Sequence, residues 1–534
     1  MATLETPHNV IQPGVAPTLH REYDELSSSF PPPFGPNDIG FPGRVEGEMP
    51  DLVVHGTVPK QLDGTFYRIM IDPFYPLAPG NPPIEGDGNV SAFRFKDGKV
   101  DMKVRYIETE RLKLERQANK RLFGLYRNPF SHHPCVRAAV DSTANTNLVY
   151  WGGHLLGLKE NGLPYALDPD TLETKTYDPF KSPGKTFTAH PKIDPFSNEL
   201  VTYGYEATGL GSKDIVVYSL SKDGHVLNEQ WITGPWCAPI HDCAITTNFI
   251  ILILWPYEAD MEGMKQGGSH WIWTEKYPLT FLVLPRRKDQ LPRGWQPGEH
   301  RVYQWTRPAF LIHAASAWED AAENICLETS RVYTNLFPTF GGLTPDNDPT
   351  ADFVRWTIDP RQPSHTVIPD PEVVLDLPSE FPRTDERLLG KHYNLMFVPV
   401  VAPLEEDNGM PLPLALNGLV KLDKRTKERV IFFPGPKCVV EEPIFVPRSA
   451  NSPEGDGWVI VMIQRVEKRR SDLVVLDTTN FSKPVAIVEL PLYVRNQIHG
   501  NWVDHTLRNE GTIKPLCRSH WTVQVSGKGS LEPM

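Results

Sequence analysis

The chain of 534 residues lacks any CxxC pair, and its six cysteines, Cys135, Cys237, Cys243, Cys326, Cys438 and Cys517, stand at irregular spacings. That excludes a disulfide framework and predicts free thiols of a reducing compartment. Long apolar runs are also missing. The longest, FIILILW at 249–255, falls far short of the roughly 20 residues a membrane helix needs, and reads as a buried strand. The first residues, MATLETPHNV, show neither the basic nor the apolar stretch of a secretory leader. Together these absences predict a cytoplasmic protein with no transmembrane segment. Positive charge is in deficit: 54 Lys and Arg against 66 Asp and Glu give a net charge of -12. With no basic stripe, a nucleic-acid partner is excluded. Long amphipathic helical patterns are scarce, and no motif signals an oligomeric state.

What is present is strand and turn. Short runs rich in Val, Ile and Tyr recur, such as NLVYWGG (147–153), ELVTYGYEA (199–207), DIVVYSL (214–220), WVIVMIQ (458–464) and DLVVLD (472–477). Residues 1–49, with PPPFGP at 31–36, read as an extended arm. From residue 50 onward the turns repeat: FRFKDGKVD (93–101), ALDPDTLET (166–174), YSLSKDGHV (218–226), LVLPRRKDQ (282–290), TIDPRQPSH (357–365), KLDKRTKER (421–429) and VLDTTNFSK (476–484). Seven hairpins about 50 to 75 residues apart suit a β-propeller, whose blades hold four strands each. The spacing predicts an all-β, seven-bladed β-propeller over 50–534. Loop insertions and short helices would form a cap on one face. A pair of β-sandwiches or a β-helix explains the even spacing less well.

In a propeller the innermost strands surround one axis, so chemistry is expected as single residues contributed by separate blades. Four of the 17 histidines fit that expectation. His190 (FTAHPKIDP), His241 (APIHDCAITTNF), His313 (FLIHAASAWED) and His499 (NQIHGNWVD) each follow an apolar or small residue in a different hairpin unit. One such histidine would be read as a hydrogen-bonded core residue. Four in like settings point to a metal, and neutral imidazole suits Fe, Zn, Cu and Ni. An all-histidine site leaves the cation's charge uncompensated, which predicts carboxylates on the outer ring nitrogens.

These segments resemble the carotenoid cleavage oxygenases, non-haem Fe(II) enzymes with a seven-bladed propeller. The resemblance runs from about residue 50 to the C-terminus. PDLVVHGTVPKQLDGTFYR is similar to the family's opening strand pair, and IEGDGNVSAFRF to its acidic glycine turn. HPKIDP, HDCAITTNF, HAASAWED and HGNW resemble its four histidine motifs, and LPSEFPR and EEPIFVPR its glutamate segments. The resemblance implies one Fe(II) per chain held by His190, His241, His313 and His499, with O2 as co-substrate. It also implies that Glu160 orients His241, Glu380 orients His313 and Glu442 orients His499, and that His190 has no carboxylate. The segment Arg68-Ile-Met-Ile-Asp-Pro73 departs from the family's Arg-Asn-Gly-Pro-Asn-Pro run, which bears on the entrance to the site.

The family's substrates divide into carotenoids and stilbenes. In stilbene-cleaving members the residue before the first glutamate is Lys, with a Tyr about 33 residues upstream. Lys159 and Tyr126 stand there. Read alone, Lys159-Glu160 before Asn161-Gly162 is the wet start of a hairpin, since Lys and Glu are seldom buried unpaired. With the resemblance, Lys159 and Tyr126 become the grip on a substrate phenol. Alternation along a strand would turn Lys159 to the cavity and Glu160 toward the iron. The expectation is cleavage of the central C=C bond of 4-hydroxystilbenes such as resveratrol or piceatannol into two aromatic aldehydes. The rival readings are an apocarotenoid or carotenoid cleavage dioxygenase, a non-catalytic propeller scaffold and, lower, an isomerohydrolase-like activity on a retinoid ester.

Overall fold

The computed structural model describes residues 43–77, 80–333, 335, 351–403 and 416–507. Seven sheets of four or five strands, antiparallel except for the short edge strand Thr366–Val367 of blade 4, follow one another around an axis as the blades of a propeller. Six of the seven turns picked out in the sequence join the third strand of a blade to its fourth; the seventh, 357–365, leads from Ala351–Ile358 of blade 5 into Thr366–Val367, which pairs with the edge of blade 4. Asp97 and Gly98, for example, both take positive φ (52° and 80°), the conformation that a two-residue hairpin between twisted strands requires.

The innermost strands are, in order from blade 1, Gln497–Asp504, Asn147–Trp151, Lys192–Asp194, Cys243–Ile245, Ala314–Glu319, Arg383–Thr384 and Cys438–Pro447. Two of the chain's strands close the ring. Gln497–Asp504 returns to pair inside Gly64–Ile71, with Phe66 opposite Trp502. Val53–Gly56 pairs with Pro484–Glu489 on the outer edge of blade 7. Gly47–Met49 adds an edge strand to blade 1; of the expected arm, residues 1–42 lie outside the described residues.

Because blades pack face against face, their middle strands are buried on both sides. Phe249–Leu254 is buried at every position, as its unbroken apolar run requires. Gly204 shows how close the packing is. A Cβ there would stand 2.2 Å from the Thr186 carbonyl oxygen, so glycine lets the segment leading to His190 lie against its own blade.

The cap contains helices Glu110–Ala118 and Met261–Lys265. Thr109 caps the first by accepting from the Leu112 N–H, and Asn119 ends it in the left-handed conformation. It also contains a two-stranded hairpin, Tyr257–Ala259 with Trp271–Trp273, which the aromatic-rich sequence does not announce. Among the described residues no helix is long and apolar enough to cross a membrane. Cys135, Cys237, Cys243, Cys326 and Cys438 are free thiols; Cys517 lies outside the described residues. Residues 68–71 are a buried part of the blade 1 strand, not an open entrance. The Arg68 guanidinium donates to Glu441 at 2.8 Å, and Asp72 accepts from Arg495 at 2.7 Å.

Candidate metal centre and phenol pocket

Three of the four histidines lie one to two residues before an inner strand, and His499 lies near the start of one. This places them together at one end of the axis. One nitrogen of each ring lies within 4.8 Å of the others. The Nε2 atoms of His241 and His313 are 3.1 Å apart. Those of His190 and His499 are buried and find no hydrogen-bond partner. Buried polar atoms without partners are costly, so four converging nitrogens of this kind fit a cation.

The outer nitrogens answer the second condition. His241 Nδ1 bonds to Glu160, His313 Nδ1 to Glu380 at 2.6 Å, and His499 Nδ1 to Glu442 at 3.0 Å. A carboxylate accepting at Nδ1 fixes the tautomer whose free lone pair is on Nε2. Among the described residues no carboxylate bonds to the His190 ring; its backbone N–H donates to Thr188 Oγ1 at 2.9 Å. The histidines come from blades 3, 4, 5 and 1, and the glutamates from blades 2, 6 and 7. Every blade therefore contributes one side chain.

The electrostatics differ among the three glutamates. Burial opposes charge on Glu442, but the Arg383 guanidinium 3.2 Å away, the His499 ring and the Gly500 N–H together take its carboxyl down to about 2. Burial likewise opposes charge on Glu160, and the His241 ring and the Tyr205 hydroxyl (2.7 Å) keep it below the usual carboxylate value. Among the described residues no Lys or Arg side chain bonds to Glu380, and burial raises it to about 8. His190 and His313 are held far below the usual imidazole value, by burial first and then by the neighbouring rings. Burial works against charge on His241 too, yet Glu160, with Asp242 and Glu380, raises that ring. Neutral imidazoles backed by buried carboxylates are a donor set suited to a divalent transition-metal ion.

Phe381 and Trp255, which sequence reading missed, wall the centre. Phe381 stacks on His313 at 5.1 Å and Trp255 lies 5.1 Å from His241. Phe381 has φ 59°, rare for a bulky residue and typical of strained functional positions. Its place directly after Glu380 was the one available signal.

Lys159 and Glu160 are both buried, at 4% and 8% exposure, which sets aside the wet-hairpin reading. Their strand, His154–Leu158, ends two residues earlier than strand alternation assumed, before either side chain. The two side chains diverge because the chain turns at 159–162, where the Gly162 N–H donates to the Lys159 carbonyl. Lys159 Nζ donates to Asn145 Oδ1 at 2.9 Å and to the Ile84 carbonyl at 3.0 Å, and lies 5.3 Å from the Tyr126 ring centre. Burial lowers the Lys159 ammonium below its usual value against the pull of Glu85 and Glu160. Burial raises the Tyr126 phenol.

A propeller with four imidazoles converging on its axis, three of them backed by carboxylates, defines a mononuclear metal-site geometry. Residues 40–504 match the family model described as retinal pigment epithelial membrane protein. The chain belongs to that family, the RPE65/carotenoid oxygenases. It is 53% identical to resveratrol cleavage oxygenase 1 of Botryotinia fuckeliana, over 98% of this chain and 95% of the relative. It is 40% identical to carotenoid cleavage oxygenase 1 of Neurospora crassa, over 88% and 91%. The crystal structure of Pseudomonas brassicacearum lignostilbene dioxygenase superposes with a TM-score of 0.83 at 35% identity, covering 90% of this chain and all of that one.

Proposed function

We propose that this protein is an Fe(II)-dependent oxygenase that cleaves the central C=C bond of 4-hydroxystilbenes such as resveratrol or piceatannol, giving two aromatic aldehydes. The whole activity is assigned to one propeller unit from about residue 50, preceded by the arm over 1–49. The observation that carries the substrate is the buried Lys159–Tyr126 pair, one residue from the glutamate that holds His241. The 53% identity to a resveratrol cleavage oxygenase supports the same reading.

His190, His241, His313 and His499 would hold the iron through the nitrogens that face one another. When bound, Fe(II) supplies the site for O2. The chain's own residues do the rest. Glu160, Glu380 and Glu442 keep three rings oriented and balance charge. Phe381 and Trp255 exclude water from the centre and offer aromatic faces to a planar substrate. Lys159 has two protons taken by Asn145 and Ile84, which leaves one vertex of its amine for a phenol oxygen. A neutral amine there accepts the phenol proton; a charged one donates to a phenolate. Either way the ring becomes electron-rich, and conjugation carries that density to the alkene.

Incubation of the iron-loaded protein with resveratrol under O2 should yield 3,5-dihydroxybenzaldehyde and 4-hydroxybenzaldehyde, resolved by chromatography. Cleavage of an apocarotenal with resveratrol left intact would favour the carotenoid reading instead. A protein that takes up no iron would be a binding scaffold.

A further inference from the structure

Asp242 directly follows His241 and is almost fully buried, at 1% exposure. Its role lies outside everything derived above. Its carboxylate accepts from Lys192 Nζ at 2.7 Å, from the Ala314 N–H at 2.8 Å and from the Cys243 N–H at 2.7 Å. Lys192 is two residues beyond His190, and Ala314 is one residue beyond His313. One carboxylate thus ties together the strand starts of three adjacent blades, and each of those starts carries a histidine of the centre. Asp242 and Lys192 carry opposite formal charges, so the pair adds no net charge beside the centre. Its contribution is to spacing.

The rest of the ring is tied in the same layer. Asn501 of blade 1 donates to Asn147 of blade 2 at 3.1 Å, and Asn147 donates to the Ala189 carbonyl of blade 3 at 2.8 Å. Arg383 of blade 6 reaches Glu442 of blade 7 and Asn501 of blade 1. Blades 3, 4 and 5 have Asp242 and Lys192 at the corresponding place.

We propose that Asp242, with Lys192, is a positioning residue that sets the separation of His190, His241 and His313 and so the ligand field of the metal they hold. This rests on the metal-site reading. Inner strands are short here, three residues in blades 3 and 4, so backbone pairing alone fixes the histidine-bearing starts weakly. A fork of hydrogen bonds from one buried carboxylate supplies the missing constraint.

The test is titration of metal-free protein with Co(II), following the visible absorption band and the affinity by competition with a chelator. The wild type should bind one Co(II). Asp242→Asn should keep a cooperative thermal transition, shift or broaden the band, and weaken binding by about 10- to 100-fold, the scale of residues that orient metal ligands. Lys192→Gln should shift the band in the same way, and this reading stands even if Asp242→Asn does not fold. A merely structural role would lower the melting temperature and leave the band where it was. Unchanged band and affinity in the folded variants overturn the inference alone. A wild type that binds no Co(II) overturns the metal reading beneath it.

Discussion

A charged lysine has three protons to place, and Lys159 has protein acceptors for two of them, Asn145 Oδ1 and the Ile84 carbonyl. Both acceptors are built into the fold and neither can donate to the amine at the atom used. Under the proposed function, the remaining vertex, beside the Tyr126 ring, is the one a substrate phenol would use. This was partly legible in the sequence. The adjacency of Lys159 and Glu160 and the 33-residue offset to Tyr126 were visible; Asn145 and Ile84 were not, because only folding brings them to the ammonium. Replacing Lys159 with Met keeps the side chain's length and removes the amine. Turnover on resveratrol should fall by about 100-fold or more, the range of a lost proton-transfer group, while iron per chain measured by elemental analysis stays the same. A loss of iron with turnover per iron unchanged would make Lys159 structural.

At the scale of elements, the inner strands decide the site. Six of the seven outer hairpins were legible because turn chemistry is local: Asp97-Gly98 says what it is without reference to the rest of the chain; the segment 357–365 instead crosses to the edge of blade 4, which no local signal announces. The contacts of Asp242 were not, since they depend on which blades become neighbours. The cap hairpin was missed because Tyr257–Ala259 and Trp271–Trp273 are three residues each, too short for a period to show. The strand Gln497–Asp504 has two duties: it supplies His499 and closes blade 1 against Gly64–Ile71. A chain ended after residue 496 loses both at once. It should show no cooperative thermal transition at the wild-type temperature and bind no metal. A truncated chain that melts like the wild type would contradict the closure described here.

At the scale of the whole molecule, the propeller brings residues hundreds of positions apart onto one axis. Four blades give histidines and three give glutamates. Histidines and carboxylates are thereby arranged as a metal centre requires; the proposal of a phenolic alkene rests on the buried Lys159 and Tyr126. A site whose polar groups are built to hold a hydroxyl discriminates strongly against analogues that lack it, because those groups are left unpaired.

The most direct test compares kcat/KM for resveratrol with that for its 4'-O-methyl ether, using iron-loaded protein and following aldehyde formation. The ether keeps the alkene and both rings, loses the 4'-hydroxyl proton and gains a methyl group. The geometry of Lys159 and Tyr126 predicts a fall of about 100-fold or more. Equal values for the two substrates would contradict the phenol grip and, with it, the assignment of stilbenes as the substrate.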